Sequence, residues 1–312
     1  MGINPAAEVD IAEPLVRALL AEQHPDLANL PLRELNAGWD NVLWRLGDHL
    51  LVRLPRRQVS AQLTLSEQRW LPLLAASLPL PVPSPVRLGV ASDSYPWPWS
   101  VVPWLDGRPN DRTEITRPGH AAGRLGGFFR ALHREAPPDA PRNPFRGVPL
   151  SERTDTFEDG RSSLAVEVDV DAIRSVWDRA VATKPWGGPP VWLHGDAHPA
   201  NLLVVDGTIG AVIDFGDMCA GDPATDLAAA WMLLPSPSVS AFFAAYGAID
   251  ADFERRALGW AVLFGLMSLA IGLDRAPGSG HPTYEPIGRA TLARALARAG
   301  HVSAAGSQPR RP

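Results

Sequence analysis

The spacing of apolar residues divides this chain into two parts that meet at the end of its first third. In the first part, helical spacing over residues 8–22 and 60–76 alternates with short apolar runs that are typical of strands. Residues 32–54 predict three such strands, and a further strand leads up to Asp106 and Gly107. This order of helix, strands, helix and strands predicts a small lobe built around an antiparallel sheet.

The second part of the chain is mostly helical in its spacing. Helices are predicted over residues 118–135 and 169–182, and helical spacing continues from Asp222 to about Gly300. Residues 136–168 lack a clear period and predict an irregular segment. Three short apolar runs near the middle of the chain predict strands; they cover residues 191–193, 202–205 and 209–213.

These patterns predict an α+β fold with two lobes joined by a short linker. The uncharged, strongly apolar run at residues 257–273 contains three glycines and is shorter than the roughly 20 residues that usually cross a bilayer, so we interpret it as a buried core helix. The predicted organisation is an N-terminal lobe at 1–102, a linker at 103–107, a C-terminal lobe at 108–300 and a disordered tail at 301–312.

Composition narrows the class of protein. A length of 312 residues and a hydrophobic content of 46% allow a core in each lobe. The net charge of −5 argues against a nucleic-acid binder, which would normally carry a basic patch. Cys219 is the single cysteine, so no intramolecular disulfide can form. The lack of a disulfide and an N-terminus that does not resemble a signal peptide together predict a cytoplasmic protein. We expect neither a nucleic-acid nor a membrane partner.

The stretch VWLHGDAHPANLLV, residues 191–204, concentrates the residues most suited to chemistry. It can be interpreted in two ways. A metal-dependent hydrolase would use His194, Asp196 and His198 around a metal ion. A phosphotransferase would instead use Asp196 as a base and Asn201 to hold magnesium.

A second carboxylate favours the phosphotransferase. Asp214 follows the next apolar strand, in VIDFGD, so it is expected to lie near Asp196 and Asn201. Phosphoryl transfer needs a carboxylate that orients the acceptor hydroxyl, and a carboxylate with an amide oxygen that holds magnesium on the phosphates. A zinc site would need a further ligand beside His194 and His198, and the other histidines are scattered along the chain.

The motif HGDAHPANLL followed by IDFGD resembles the catalytic core of the aminoglycoside phosphotransferase family, over roughly residues 30–275. The resemblance implies a two-lobed protein-kinase-like fold and an ATP-dependent, or GTP-dependent, transfer to a hydroxyl. It implies Asp196 as the catalytic base and Asn201 and Asp214 as Mg²⁺ ligands, with His194 bracing the loop. Asp226, one turn into the helix that starts at GDP, would tie that helix back to the loop.

The resemblance also implies a nucleotide site in the sheet lobe. The family usually has a lysine on the third strand, paired with a helix acid, but the single lysine, Lys184, lies in the other lobe. Arg53 occupies the position, and Glu67 is the acid that would orient it. Arginine stays charged and forks onto phosphates, so the role is retained.

Other nucleotide contacts are expected around this pair. Asn36 and Gly38 belong to the loop NAGWDN, which is credible as a phosphate loop because it joins the first two strands. His198 would contact a phosphate or the loop backbone. In the linker, alignment with kinase-like folds predicts that the Pro103 carbonyl and the Leu105 amide bind adenine, with Val102 behind them; these three belong to VVPWLDG.

The sequence does not identify the molecule that accepts the phosphoryl group. Residues 151–226 carry 14 acids against five bases, a surface that would attract a cationic aminoglycoside. Aromatic residues in the helical lobe would instead suit a macrolide or another less polar alcohol, although such rings are more often core; they are Trp231, Phe242, Phe243, Trp260 and Phe264. A small metabolite alcohol and a non-catalytic nucleotide-binding protein are further alternatives, and the sequence leaves the oligomeric state open.

Overall fold

The computed structural model describes residues 7–35, 38–274 and 281–306. Its first part is a small lobe that consists of α1 (Glu13–Gln23), β1 (Leu32–Glu34), β2 (Asn41–Leu46), β3 (Leu50–Pro55), α2 (Gln58–Ala75), β4 (Arg87–Gly89) and β5 (Trp99–Pro103). The five strands form an antiparallel sheet with the strand order β1-β2-β3-β5-β4. The predicted α+β architecture is confirmed.

The sheet forms because alternate residues of its strands are apolar. In β2, Val42, Trp44 and Leu46 are buried while the residues between them are half-exposed. These side chains share one core with the buried face of α1, which contributes Leu19 and Leu20. One face of the sheet is thus covered by a helix, as expected for a strand pattern of period two.

The chain leaves the sheet through β5 and enters the large lobe at a two-stranded contact. Strand β6 (Arg108–Pro109) pairs with β8 (Leu202–Val205), next to β9 (Thr208–Val212). Gly107 adopts φ +128°, and a Cβ there would lie 2.9 Å from Leu203 Cβ. Only glycine therefore fits where the linker crosses this small sheet.

The rest of the large lobe is helical, apart from a strand pair and three short 3-10 turns in the described part of the chain. Strand β7 (Val191–Leu193) pairs with β10 (Cys219–Gly221). The helices are α3 (Pro118–Leu132), α4 (Thr154–Ser163), α5 (Val170–Val181), α6 (Ala224–Leu227), α7 (Ala229–Leu233), α8 (Val239–Tyr246), α9 (Ala251–Leu273) and α10 (Tyr284–Gly306).

Helix α9 is the centre of the large lobe. It is the one helix of the described chain that is long and apolar enough to cross a membrane, with a mean hydropathy of 1.7. Yet 72% of its apolar window is buried inside the fold, and its neighbours are α4, α5, α6 and α10. The prediction of a core helix over residues 257–273 is confirmed.

Helix α2 belongs to both lobes. One face covers the sheet, while Trp70, Leu71 and Leu74 are part of the core of the large lobe. The Trp70 ring contacts that of Trp192 on β7, with centroids 5.1 Å apart. The position of α2 relative to the large lobe is therefore set by buried apolar contacts.

Three sequence predictions need correction at this level. Helix α1 begins at Glu13 rather than at residue 8, with a proline in its first turn. The segment 136–168 contains α4, whose composition is so polar that only Phe157 is buried, stacked on Trp177 at 4.3 Å. Residues 301–306 of the predicted tail continue α10, whereas 307–312 lie outside the described residues.

Candidate active site

The catalytic loop runs from the end of β7 to the 3-10 turn Pro199–Asn201, which leads into β8. Its second residue, Gly195, has φ +82°, and a Cβ there would approach the Asp217 carbonyl oxygen to 2.4 Å. Neither the conformation nor the space tolerates a side chain. The HGD motif therefore requires glycine at its centre.

A buried carboxylate holds the backbone of this loop. Asp226 on α6 accepts hydrogen bonds from the His194 amide at 2.7 Å and from the Gly195 amide at 2.9 Å. It also contacts His133 Nε2 at 3.1 Å, and His133 Nδ1 lies 2.9 Å from the Tyr246 hydroxyl. The predicted tie between Asp226 and the catalytic loop is present, and sequence reasoning missed its extension to His133 and Tyr246.

His194 is fully buried, and both of its ring nitrogens are engaged by backbone. Nε2 donates to the Ile213 carbonyl at 2.9 Å, while Nδ1 accepts from the Asp196 amide at 3.2 Å. These partners assign the Nε2–H tautomer. His194 therefore braces the loop and has no lone pair left for a metal ion, which removes the ligand set of the hydrolase hypothesis.

Asp196 carries the one carboxylate of the catalytic loop. Its side chain is 31% exposed, and Oδ2 accepts from Asn201 Nδ2 at 3.2 Å and faces His198 Nε2 at 3.3 Å. Burial raises the pKa of a carboxyl group, but His198 and Arg146 outweigh it and hold the pKa of Asp196 well below its usual range. The carboxylate is ionised, partly open to solvent and available as a proton acceptor.

His198 and Asn201 form the other side of the loop. The Asn201 amide nitrogen is committed to the Asp196 carbonyl at 2.9 Å, so its amide oxygen is the atom left for a cation. His198 Nδ1 accepts from the Ala200 amide at 3.2 Å. Burial lowers the pKa of a histidine, yet the adjacent Asp196 raises that of His198 overall. His198 thus contacts the loop backbone, which is one of the two contacts predicted for it; the other is a phosphate.

Asp214 lies beside the catalytic loop, because the amide of the preceding Ile213 donates to the Asn201 carbonyl at 2.9 Å. Its backbone has φ +64°, which is uncommon outside glycine, and its side chain is 57% exposed. The carboxylate lies 4.0 Å from Arg53 Nη2. Asn201 and Asp214 offer hard oxygen donors that suit Mg²⁺, whose remaining ligands would be water and phosphate. Within the described residues, no group of three or more His, Cys, Asp or Glu side chains could hold a metal ion without such help.

Arg53 and Glu67 form a buried, two-pronged ion pair. Arg53 Nη1 lies 2.9 Å from Glu67 Oε2, and Nη2 lies 3.2 Å from Oε1. The residues are 9% and 3% exposed. Burial disfavours the charge, but Glu67 and Asp214 raise the pKa of Arg53, so it stays a cation. The Phe215 backbone lies within hydrogen-bonding reach of Glu67, which links the pair to the IDFGD segment.

The loop between β1 and β2 is anchored by arginines that sequence reasoning did not assign. Asn36 lies outside the described residues. The Gly38 carbonyl accepts from Arg56 Nη1 at 3.1 Å, and Asp40 accepts from Arg57 Nη2 at 3.0 Å and from the Ser60 hydroxyl at 2.7 Å. The signal was present as the arginine run after β3, which lies beside this loop only because β2 and β3 form a hairpin.

The linker residues occupy the end of β5. Val102 is fully buried, while Pro103 and Leu105 are partly exposed. The Trp104 amide donates to the His49 carbonyl at 2.7 Å, which makes Leu50 and Pro103 a non-hydrogen-bonded pair of the ladder. In such a pair the carbonyl points away from the neighbouring strand. The Pro103 carbonyl is thus directed away from β3, as a base contact would need.

The segment predicted to be irregular supplies further polar groups to this site. Arg146 Nε donates to the Gly195 carbonyl at 2.7 Å, and Asn143 Nδ2 donates to Asp217 Oδ1 at 2.7 Å. Burial raises the pKa of Asp217, although Arg146 opposes the shift. No local pattern in the sequence could have identified these residues, because their contacts join positions about 50 to 75 residues apart.

Part of the acidic excess of residues 151–226 is neutralised by arginines, and the aromatic candidates of the large lobe belong to its core. Glu158 pairs with Arg161 at 2.9 Å and also with Arg174, and Asp222 pairs with the buried Arg256 at 2.7 Å. All the aromatic candidates for an acceptor lining are core residues or pack against the core; they are Trp231, Phe242, Phe243, Trp260 and Phe264. Neither feature by itself selects an acceptor.

Comparison with known proteins agrees with this geometry. A family model described as the phosphotransferase enzyme family matches residues 31–260. No curated protein matches the sequence.

Solved structures with the same fold include kinases of two antibiotic classes. A GDP complex of a mutant aminoglycoside 2'-phosphotransferase-IIIa is 19% identical, with a TM-score of 0.65 over 93% of this chain and 99% of that one. The macrolide 2'-phosphotransferase MphH from Brachybacterium faecium, solved as apoenzyme, is 24% identical, with a TM-score of 0.58 over 90% and 98%. The streptomycin–ATP complex of APH(2")-IIa is 17% identical, with a TM-score of 0.58 over 85% and 92%.

Proposed function

Because the chain belongs to the phosphotransferase enzyme family, we propose that it transfers the γ-phosphoryl group of ATP or GTP to a hydroxyl of a small antibiotic in the presence of Mg²⁺. An aminoglycoside is the first candidate acceptor. A macrolide is the second, supported by the likeness of the fold to a macrolide kinase, with a TM-score of 0.58. A small metabolite alcohol is a third possibility for the same chemistry.

In this proposal Asp196 accepts or orients the proton of the acceptor hydroxyl. Asn201 and Asp214 hold Mg²⁺, which neutralises charge on the transferred group when it is bound. Arg53, oriented by Glu67, contacts the nucleotide phosphates. The Pro103 carbonyl and Leu105 amide bind the base against Val102, and the loop that contains Asn36 and Gly38 covers the phosphates.

The observation that carries the proposal is the environment of the Asp196 carboxylate. It is ionised and 31% exposed, and its loop is held by a fully buried histidine and by the Asp226 carboxylate. A rigid loop that presents one open carboxylate suits a reaction in which positioning and electrostatics supply most of the catalysis. Phosphoryl transfer is such a reaction.

We further propose a cytoplasmic location, where nucleoside triphosphates and Mg²⁺ are both available. The thiol of Cys219, the single cysteine, is buried, and burial raises its pKa, so it is unreactive in this fold.

The test is a phosphorylation screen with ATP and with GTP. Aminoglycosides, macrolides and small alcohols would each be incubated with the protein and Mg²⁺, and the product identified by mass spectrometry. We expect acceptor-dependent release of the nucleoside diphosphate, together with a monophosphorylated product, for at least one antibiotic class. The matched control is the Asp196→Ala variant, in which acceptor-dependent release should fall at least about 10²-fold. Nucleotide turnover that no acceptor stimulates would contradict the proposal.

A further inference from the structure

A short turn in the segment before α4 docks against the catalytic loop. We call residues 143–147 the NPFRG turn. Asn143 Nδ2 donates to Asp217, and the Gly147 carbonyl accepts from the Asp222 amide at 2.9 Å. Gly147 has φ +69°, and a Cβ there would lie 2.9 Å from the Gly221 Cα. The turn is thus pressed against the backbone of the large lobe at several independent points.

Arg146 is the residue of this turn that reaches the catalytic loop. Nε donates to the Gly195 carbonyl at 2.7 Å, and Nη2 lies 3.7 Å from Asp196 Oδ1. The guanidinium stands over the Phe264 ring at 5.1 Å, and the side chain is 12% exposed. One planar group therefore contacts both the backbone before Asp196 and the Asp196 carboxylate, while an aromatic face supports it.

The two oxygens of Asp196 are in different environments. Oδ2 faces Asn201 Nδ2 and His198 Nε2 at 3.2 and 3.3 Å. Oδ1 faces Arg146 at 3.7 Å, which is an electrostatic contact but too long for a hydrogen bond. A cation at this distance stabilises the anion and its orientation and leaves the lone pairs of Oδ1 free for an acceptor hydroxyl.

We propose that Arg146 is a positioning residue that orients Oδ1 of Asp196 toward the acceptor hydroxyl, through the Gly195 carbonyl and the ion pair. The inference rests on the proposed function, since it takes Asp196 as the base. Arg146 acts through Asp196, so its removal should lower kcat and leave the nucleotide KM nearly unchanged. Misplacing a reacting group by about 1 Å costs roughly 10²-fold in rate, and this is the loss expected.

The experiment compares Arg146→Ala, Arg146→Lys and the control Arg142→Ala in the whole protein. Arg142 is an exposed arginine four residues earlier, so its loss matches the change of charge. We expect kcat to fall about 10²-fold in Arg146→Ala, with nucleotide KM within about threefold. Arg146→Lys should recover part of kcat, because lysine keeps the charge without the fork, and Arg142→Ala should behave as wild type.

A double-mutant cycle separates positioning from a direct or merely structural role. In an Asp196→Asn background, Arg146→Ala should lower the residual single-turnover rate by less than about threefold, because the carboxylate that it orients is gone. An undiminished loss in that background would overturn the proposal. So would a kcat within about threefold of wild type in Arg146→Ala, or an effect confined to nucleotide KM.

Amide hydrogen exchange tests the role of Arg146 without an acceptor, so its result does not depend on the proposed function. The His198 amide donates to the Asp196 carbonyl at 2.9 Å, and the Asp196 amide donates to His194. Exchange of both amides should rise at least about tenfold in Arg146→Ala relative to Arg142→Ala, without any acceptor. If the wild-type protein phosphorylates no acceptor, the proposed function fails and exchange alone decides; unchanged exchange would then reject the role of Arg146.

Discussion

Replacing Arg53 with methionine is expected to damage both stability and nucleotide use, through two separable effects. Arg53 and Glu67 are 9% and 3% exposed and share two contacts of 2.9 and 3.2 Å. Removing one partner of such a buried pair leaves an uncompensated charge and costs about 3–5 kcal/mol of unfolding free energy. Loss of the charged hydrogen bonds to the nucleotide, about 1.5–3 kcal/mol, should raise nucleotide KM roughly ten- to hundredfold.

Glu67→Leu should cost less stability than Arg53→Met. After the loss of Glu67, Arg53 still has the Asp214 carboxylate at 4.0 Å, whereas Glu67 pairs with no second cation among the residues that the structure describes. The double variant Arg53→Met with Glu67→Leu removes both charges and fills the space with apolar atoms. We expect it to regain most of the lost stability, since apolar replacement of a buried pair is often neutral or stabilising. Its turnover should stay low.

Urea unfolding followed by far-UV circular dichroism and tryptophan fluorescence measures the first effect, and steady-state kinetics over a range of nucleotide concentrations measures the second. The control is Arg87→Ala on the same sheet, because its pair with Asp26 is exposed, at 3.4 Å, and should be worth about 0–1 kcal/mol. If the double variant keeps a wild-type nucleotide KM, Arg53 does not contact the phosphates and the pair is only structural.

Four further substitutions test the catalytic loop and the neighbouring Asp214. Asp196→Ala should lower transfer about 10²–10⁴-fold with nucleotide affinity nearly unchanged, and residual turnover above about a tenth of wild type would speak against its role as base. Asn201→Ala and Asp214→Asn should weaken Mg²⁺-dependent turnover, with partial recovery of the former at high Mg²⁺; stoichiometric zinc in the purified protein would contradict the assignment. Gly195→Ala should destabilise the protein by at least about 1–3 kcal/mol, from strain and the 2.4 Å approach to Asp217, whereas Gly187→Ala, with open space around its Cβ, should not, as thermal unfolding would show.

The family resemblance held because it rested on residues whose chemistry is local. Asp196 and Asn201 are five positions apart on one loop, so their contact follows from a short stretch of backbone. The pairing of Arg53 with Glu67 was implied by the family resemblance, and it forms because α2 directly follows β3 in the chain and packs beside it. Such contacts depend on elements that adjoin in the chain.

The contacts that the sequence analysis missed join residues that lie far apart in the chain. His133 and Tyr246 join Asp226 from α3 and α8, and Arg146 reaches Gly195 from 49 residues away. The turn that carries Arg146 has no periodicity, because tertiary contacts rather than regular secondary structure define its conformation. A pattern search has nothing to detect there.

By itself, the sequence determined the division into a sheet lobe and a helical lobe, since apolar periodicity dictates which faces must be buried. It also determined which residue types the catalytic loop offers for chemistry, because Asp196 and Asn201 lie five positions apart on that loop. Only the tertiary structure decided which charges are neutralised. Glu158, Asp222 and Asp226 count equally as acids in the sequence, yet each is paired or buried here, while Asp196 and Asp214 keep exposed oxygens. The energy of a charge depends on its solvation and its neighbours, and both are properties of the folded chain.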